Sequence, residues 1–154
     1  MTLEVNVQIA SEEDDLPDPE SIRAWATAAV GDVRDGAELT VRIVDEAESA
    51  HLNSRYRSNT GPTNVLSFSF DSPPGAEVSI LGDIVVCAPV VRHEANEQSK
   101  SVNAHWAHMI VHGTLHLLGH THDGDVDAEA MEAMEARILA GLGFGNPYES
   151  SDLS

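Results

Sequence analysis

Six of the eight histidines of this chain lie in one segment of 18 residues, His105 to His122. Three of them, His112, His116 and His122, have the relative positions 0, +4 and +10. Residues four apart on an α-helix share one face, so a helix brings the imidazoles of His112 and His116 together. Gly119 is predicted to end this helix, so that His122 can approach the pair from the side. Three imidazole nitrogens on one side of an ion leave a coordination position open, which is typical of catalytic zinc.

The spacing, with glycine at +7, is also that of the metzincin peptidases, whose motif is His-Glu-x-x-His-x-x-Gly-x-x-His. Gly113 stands where those peptidases carry their catalytic glutamate. A metal can still polarise an oxygen or lower the pKa of water, but the usual base for peptide hydrolysis is missing. The motif therefore favours a different metal-assisted reaction. We interpret His105, His108 and His120 as residues that support or line the site rather than as ligands.

A second group of interest is Arg55-Tyr56-Arg57, at the predicted end of a helix and before a turn-rich loop. A guanidinium near a metal can bind a phosphate through two nitrogens and stabilise charge that develops on it. Cations at a helix C-terminus also interact favourably with the helix dipole without any functional role. Taken alone, the segment favours the second explanation.

The net charge of −18, from 26 acidic and 8 basic residues, argues against general binding of nucleic acid. The acids are unevenly distributed, however. The two longest stretches without an acid, 49–70 and 98–122, contain Arg57 and all three predicted metal ligands. Burial explains part of this coincidence, because buried segments avoid charge. We interpret the pattern as a positively charged metal site surrounded by an acidic protein surface.

Length and composition predict a single domain over residues 1–154, because 42% hydrophobic residues suffice for a core at this length. The only cysteine, Cys87, excludes an intramolecular disulfide and suits a reducing cytoplasm. No basic residue precedes Arg23, so we expect no signal peptide. The longest apolar run, Ile84 to Val91, is too short to span a membrane.

Apolar alternation predicts strands near residues 3–9, 39–43, 65–70 and 80–86. Helical spacing of apolar residues, together with helix start and stop signals, predicts helices near 21–30, 46–56, 89–98 and 102–118. Asp45 is predicted to cap the helix near 46–56. In a last helix, Met131, Met134, Ile138 and Leu142 are predicted to face the core, and Glu129, Glu132 and Glu135 to form a solvated face. The predicted fold class is α+β, with one mixed sheet of about four strands packed with several helices.

The segment His112-Gly113-Thr114-Leu115-His116-Leu117-Leu118-Gly119, followed by His122, resembles the hallmark of the YbeY endoribonuclease family of bacterial metal-dependent ribonucleases. Further segments are similar: Leu52-Asn53, Tyr56-Arg57, Pro62 to Phe68, Leu81 to Ile84, His105-Trp106 and Pro147-Tyr148. The resemblance implies a zincin-like domain, zinc on the three histidines and Arg57 as the functional arginine. It also implies 16S rRNA 3′-end maturation and quality control of defective ribosomes. The chain departs from the family pattern at Asn59, usually a basic residue, and at His120-Thr121, usually Tyr-Asp.

The leading hypothesis is therefore a cytoplasmic, zinc-dependent endoribonuclease specific for single strands, with one Zn²⁺ on His112, His116 and His122 and with Arg57 as the catalytic residue. Nickel, cobalt or iron can occupy three imidazoles as well. The expected partners are single-stranded rRNA and the ribosome or small-subunit assembly proteins, and neither DNA nor a membrane. Two alternatives stay open: another zinc metallohydrolase, such as a peptidase or amidase, and a non-catalytic ribosome-assembly factor with a structural metal.

Overall fold

A computed structural model describes residues 3–31, 36–70, 79–120 and 124–148. Its sheet contains four strands: β1 Leu3–Ile9, β2 Ala37–Val44, β3 Val65–Ser69 and β4 Ser79–Cys87. They lie in the order β1-β2-β4-β3, in which β1, β2 and β4 are parallel and β3 is antiparallel to β4. The sheet is mixed, and the predicted α+β class with about four strands is confirmed.

The described residues form five helices: α1 Pro19–Val30, α2 Glu46–Arg57, α3 Ala88–Glu97, α4 Val102–Leu117 and α5 Asp125–Gly141. Their ends follow the local signals closely. Asp18 caps α1, with proline in its first turn, and the Ser101 hydroxyl caps α4 by accepting the Ala104 N–H at 3.0 Å. Within the described ranges, no helix is both long enough and apolar enough to cross a membrane.

The helices cover both faces of the sheet. On one face Trp25 of α1 and Ile110 of α4 belong to the same buried cluster as Val41 of the central strand β2. On the other face Leu52 of α2 packs with Val85 of β4. Full burial of an aliphatic side chain such as Ile110 contributes about 1.5–3 kcal/mol, so helix α4, apolar on most of its surface, is anchored firmly in the core.

Strand β3 is one edge of the sheet and lies beside helix α4. Its partner β4 carries a β-bulge, because Glu38 pairs with Ile80 but Leu39 pairs with Gly82. Gly82 has a φ of +142°, and a Cβ at this position would lie 2.1 Å from the carbonyl oxygen of Phe68. Only glycine lets the two strands approach each other this closely.

The predicted capping role of Asp45 is wrong, although this residue does occupy the N-cap position of α2. Its side chain makes no capping hydrogen bond and instead accepts from the Ser11 hydroxyl and from the Glu12 N–H, the latter at 2.9 Å. These two bonds, chiefly that from Ser11, hold the pKa of the Asp45 carboxyl below its usual value. The carboxylate therefore ties the loop after β1 to the start of α2, a contact between segments distant in sequence.

Candidate metal centre and cleft

Helix α4 presents two of the three predicted ligands together. The Nε2 atoms of His112 and His116 are 3.2 Å apart, and both side chains line one cleft. Two ligands of a tetrahedral zinc ion, each about 2.0–2.1 Å from the metal, are about 3.3 Å apart. The separation of the two nitrogens therefore fits ligands that share one ion.

The end of α4 is formed as the sequence predicts. Gly119 has a φ of +98° and donates its N–H to the carbonyl of His116 at 3.0 Å, while the His120 N–H reaches the carbonyl of Leu115 at 3.1 Å. This pair of bonds is a Schellman motif, which turns the chain away from the helix axis. The predicted third ligand, His122, lies outside the described residues.

A buried carboxylate, Glu135 of α5, lies behind His112. Its Oε2 atom is 2.6 Å from His112 Nδ1, and the residue has no exposed surface. The predicted solvated face of α5 is therefore wrong at this position. Glu135 lies one turn after Met131 and one turn before Leu139, and these three residues form the buried stripe of the helix.

The Glu135 carboxyl is ionised despite its position. Burial by itself raises the pKa of Glu135, but hydrogen bonds from His108, His112 and Tyr148 outweigh it and lower the pKa to about 2. A carboxylate only accepts hydrogen bonds, so His112 must donate its Nδ1–H. In the neutral imidazole this places the lone pair on Nε2, the nitrogen on the cleft side. The hydrogen bond thus selects the tautomer that a metal requires.

Two further groups hold Glu135 in place. His108 Nε2 is 2.9 Å from Glu135 Oε1, and the Tyr148 hydroxyl donates to the same oxygen. Burial, and next the hydrogen bond with the Glu135 carboxylate, raise the pKa of Tyr148, so this phenol keeps its proton. Tyr148 thereby connects the C-terminal part of the described chain to the support of His112.

The absence of a glutamate at position 113 has a steric reason. A Cβ on Gly113 would lie 2.8 Å from Ile84 Cγ2 and 3.2 Å from both Ser67 Oγ and Val65 Cγ2. The carbonyl of Gly113 accepts a hydrogen bond from the Ser67 hydroxyl at 3.0 Å. Helix α4 and strand β3 touch at this glycine, so the packing leaves no room for any side chain there.

Arg57, the last residue of α2, lines the same cleft as His112 and His116. Its Nη2 donates to the carbonyl of Ser67 at 2.5 Å, and its guanidinium carbon is 4.8 Å from the centre of the Phe68 ring. The side chain is exposed. A second hydrogen bond runs from Arg57 Nη1 to the carbonyl of Tyr56 at 3.3 Å, so two carbonyls and one ring hold this exposed side chain beside the edge strand β3.

The two sides enclose a cleft of about 380 Å³. It is lined by residues of α2, α4 and the segment around β3: Arg57, Asn64, Val65, Leu66, Ser67, Ser69, His112 and His116. The fold thus brings Arg57 and two of the three predicted ligands, separated by more than 50 residues in sequence, to a single cavity.

His105 belongs to a different network. Its Nε2 is 2.9 Å from Glu94 Oε1, and the same carboxylate accepts the amide of Asn64 at 3.0 Å. Asn64 in turn accepts the N–H of Val65 at 2.6 Å through its side chain. These bonds hold the backbone at the start of β3, a strand that lines the cleft. His105 therefore supports the cleft indirectly, and its Nε2 is bound to Glu94 rather than placed as a metal ligand.

His108, His112 and Glu135 have ligand atoms within 4.8 Å of one another, so this group can also hold a metal ion. In the present geometry, however, the carboxylate makes direct hydrogen bonds of 2.9 and 2.6 Å to the two rings. An ion held by all three groups would have to replace these hydrogen bonds. The arrangement is that of a carboxylate that orients a ligand from behind.

Sequence reasoning missed Glu135 and Tyr148 as parts of this site. A signal for Glu135 existed, because its spacing of four from Met131 and from Leu139 places it on the apolar face of α5. A lone acid on such a face needs a buried partner, and histidines elsewhere were available. Nothing in the spacing pointed to Tyr148.

Fold and site together define an α+β domain in which a helix carrying a histidine pair lies beside an edge strand of a mixed sheet. The solution structure of TM1509 from Thermotoga maritima, a VT1 structural-genomics target, has a TM-score of 0.57 to this chain at 23% identity. The match covers 96% of this chain and 98% of TM1509, which shows a shared fold. The family model of the endoribonuclease YbeY matches residues 6–143. The chain therefore belongs to the YbeY endoribonuclease family, as the motif predicts.

Membership carries a coarse functional statement. YbeY proteins are metal-dependent endoribonucleases, hydrolases connected with the processing of ribosomal RNA, so the family implies an RNA substrate. A group able to bind a metal is present in this chain.

Proposed function

We propose that this chain is an endoribonuclease that cleaves single-stranded RNA with one metal ion held by His112, His116 and His122. The observation that carries the proposal is the shared cleft, in which the Nε2 atoms of His112 and His116 face a cavity that also receives Arg57. A cationic group opposite a metal centre suits a phosphodiester, whose charge increases during cleavage. His122 enters from the sequence spacing alone.

The donor set supports zinc, with nickel, cobalt or iron as further possibilities, because borderline metals favour neutral imidazole. Glu135 holds the Nδ1–H of His112 and leaves Nε2 free of a proton, which is the state a ligand needs. When bound, the ion supplies Lewis acidity towards a phosphate oxygen or a water molecule.

The residues of the chain perform three tasks in this proposal. Glu135 orients His112, and its other oxygen is itself held by His108 and Tyr148. Arg57 binds a phosphate oxygen through nitrogens that the Ser67 carbonyl leaves accessible. The free edge of β3 forms the floor between them. Position 113 itself supplies no carboxylate as a base, because it is a glycine packed tightly against β3 and β4.

The same packing argues against a peptidase or amidase that works through a glutamate at position 113. A purely structural metal is disfavoured by the open cleft beside the histidine pair, since structural zinc sites are usually closed. Robust cleavage of a peptide library would revive the first alternative. Full function of an Arg57→Ala protein would revive the second.

The biological setting follows the family. We place the enzyme in 16S rRNA 3′-end maturation and in quality control of defective ribosomes, in the cytoplasm, as a single domain over residues 1–154. The free thiol of Cys87 suits a reducing compartment. The net charge of −18 disfavours nonspecific binding to DNA and favours help from the ribosome or from small-subunit assembly proteins.

The decisive experiment combines metal analysis with cleavage of a single-stranded ribosomal RNA fragment for three proteins. His116→Ala is expected to lose both metal and activity. Arg57→Ala is expected to keep the metal and to lose about 10²–10³-fold in rate, the cost of removing one group that stabilises developing charge. Unreduced RNA cleavage by a metal-free His116→Ala protein would overturn the proposal.

A further inference from the structure

Next to the cleft, on the face of the sheet covered by α2, the chain exposes aromatic side chains beside arginines. Tyr56 and Phe70 are both 53% exposed. The ring of Phe68 lies between α2 and β3 with its centre 5.5 Å from that of Tyr56, at an interplanar angle of 72°. We call the surface formed by Arg55, Tyr56, Phe68 and Phe70 the aromatic patch.

The arginines at this surface differ from others in the chain. Arg23, Arg42 and Arg92 each form an ion pair with a glutamate, at 2.8, 2.6 and 3.2 Å. Arg55 instead lies over the Tyr56 ring, 5.5 Å from its centre, and Arg57 lies over Phe68. Among the described residues, neither Arg55 nor Arg57 forms an ion pair with an acid. Their charge is therefore available to an external anion.

The patch is continuous with the cleft. Arg57 follows Tyr56 in the chain and lines the cleft, and Phe70 follows Ser69, which lines it too. Phe68 packs with the cluster of Leu66 and Leu52, on the sheet face away from α4. Phe70 is the residue directly after β3, and its N–H still bonds to the carbonyl of Leu81 in β4 at 3.0 Å, so its backbone continues along the same sheet edge. A ligand strand that leaves the cleft over the outer edge of β3 contacts the aromatic patch next.

The chemistry of the patch matches unpaired nucleotides. Flat rings offer a stacking surface to any base, and guanidinium groups offer both phosphate contacts and stacking. A protein surface partner is a poorer match, because the two accessible rings are flanked by cations rather than by a closed apolar area. In a chain with a net charge of −18, uncompensated arginines beside exposed rings also provide local attraction for a polyanion.

We propose that the aromatic patch binds the single-stranded RNA segment next to the cleaved bond, with bases stacked on Tyr56 and Phe70 and a phosphate on Arg55. This inference rests on the proposed function, since it extends the RNA path out of the same cleft. It also assigns the origin of strand specificity: paired bases are already stacked in a duplex and are not available to these rings.

The test measures affinity separately from cleavage. A labelled 12-nucleotide single-stranded RNA is titrated against wild type, Tyr56→Leu and Phe70→Leu, and binding is followed by fluorescence anisotropy. Each leucine variant is expected to bind about 5- to 150-fold more weakly, as for loss of one base–aromatic stack. Tyr56→Phe, which keeps the ring, is expected to bind like wild type. Ile9→Ala changes an apolar side chain that is 53% exposed at the end of β1, on the opposite edge of the sheet from β3, and serves as the control.

A second measurement locates the contact directly. RNA substituted with 5-iodouridine is cross-linked by light, and the adducts are mapped by mass spectrometry, with cross-links expected at Tyr56 or Phe70. The proposed RNA contact would be refuted if both leucine variants bound RNA as tightly as wild type and the cross-links mapped to other residues. A decrease in their binding to small ribosomal subunits would not change that conclusion. Normal RNA cleavage by those variants would then leave the proposed function intact. Conversely, weakened RNA binding without any cleavage by wild type would support the patch and refute the proposed function.

Discussion

The two sides of the cleft are built in opposite ways. On the helix side, formed by α4 and α5, His112 has a side chain only 18% exposed and rests on a fully buried carboxylate. On the strand side, formed by β3 and the end of α2, Arg57 is exposed and is held by two carbonyls and one aromatic ring. The helix side is a network with defined donors and acceptors, whereas the strand side is a surface with a cation at its rim.

This difference reflects what each side has to do. A metal ligand must keep one tautomer and one direction, so the cost of burying Glu135 is offset by the three hydrogen bonds it accepts. A group that meets a flexible substrate has to move. The hydrogen bond from the charged Arg57 side chain to the Ser67 carbonyl contributes about 1.5–3 kcal/mol, and a charge-assisted contact with a phosphate can replace it. Rigidity and adaptability are thus separated across a single cleft.

The largest expected effect comes from removing the metal. Treatment with a chelator is expected to abolish RNA cleavage and to lower the melting temperature, since the ion stabilises only the folded state. Zinc added back at 100 times its dissociation constant should restore about 2.7 kcal/mol. Calorimetry on wild type and Arg57→Ala should give the same gain, because the strand side carries no ligand. A smaller gain in Arg57→Ala would show that the two sides are not independent.

Next in size is the loss of the carboxylate behind His112. In Glu135→Gln, an amide NH₂ donor replaces one acceptor oxygen, so residue 135 no longer selects the His112 tautomer that carries its proton on Nδ1. Metal affinity measured by titration calorimetry is expected to decrease about 10- to 100-fold. Glu132→Gln removes an exposed acid from the same helix and is the matched control. Equal affinities in the two variants would contradict the orienting role.

A smaller effect is expected where the two sides touch. Gly113→Ala places a methyl group 2.8 Å from Ile84, and overpacking of this kind costs about 1–3 kcal/mol. Higher helix propensity offsets about 1 kcal/mol of it, so a net loss of about 1 kcal/mol is expected in urea denaturation. Gly141→Ala, in a helix with nothing within 4 Å, should instead gain about 0.5–1 kcal/mol. Stabilisation by both substitutions would show that the contact between α4 and β3 is loose.

The smallest effect concerns the hydrogen bond across this junction. Ser67→Ala removes the hydroxyl that donates to the Gly113 carbonyl, and about 0.5–1.5 kcal/mol of stability should be lost. Ser69→Ala, at an exposed residue that also lines the cleft, should change stability very little. Zinc affinity should stay constant in both variants. A loss of metal by Ser67→Ala would mean that the strand side also positions the ligands.

Much of the fold could be predicted from sequence because its signals are local. Alternation along Leu3–Ile9, the cap at Ser101 and the glycine at 119 each act within a few residues, and the corresponding elements have the expected types. The pairing of His112 with His116 follows from helix geometry alone. Asp45 marks the limit of such reasoning, since its side chain serves a loop more than 30 residues away.

The sequence by itself therefore determined the helical spacing of the histidines, the end of their helix and the family to which the chain belongs. Only the tertiary structure decided that Glu135 lies behind His112, that Gly113 is buried against β3 and that Arg57 lines the same cleft as the histidine pair. The physical reason is the range of the interactions. Backbone periodicity and capping depend on neighbours along the chain, whereas the partner of a buried charge depends on how helices and strands pack.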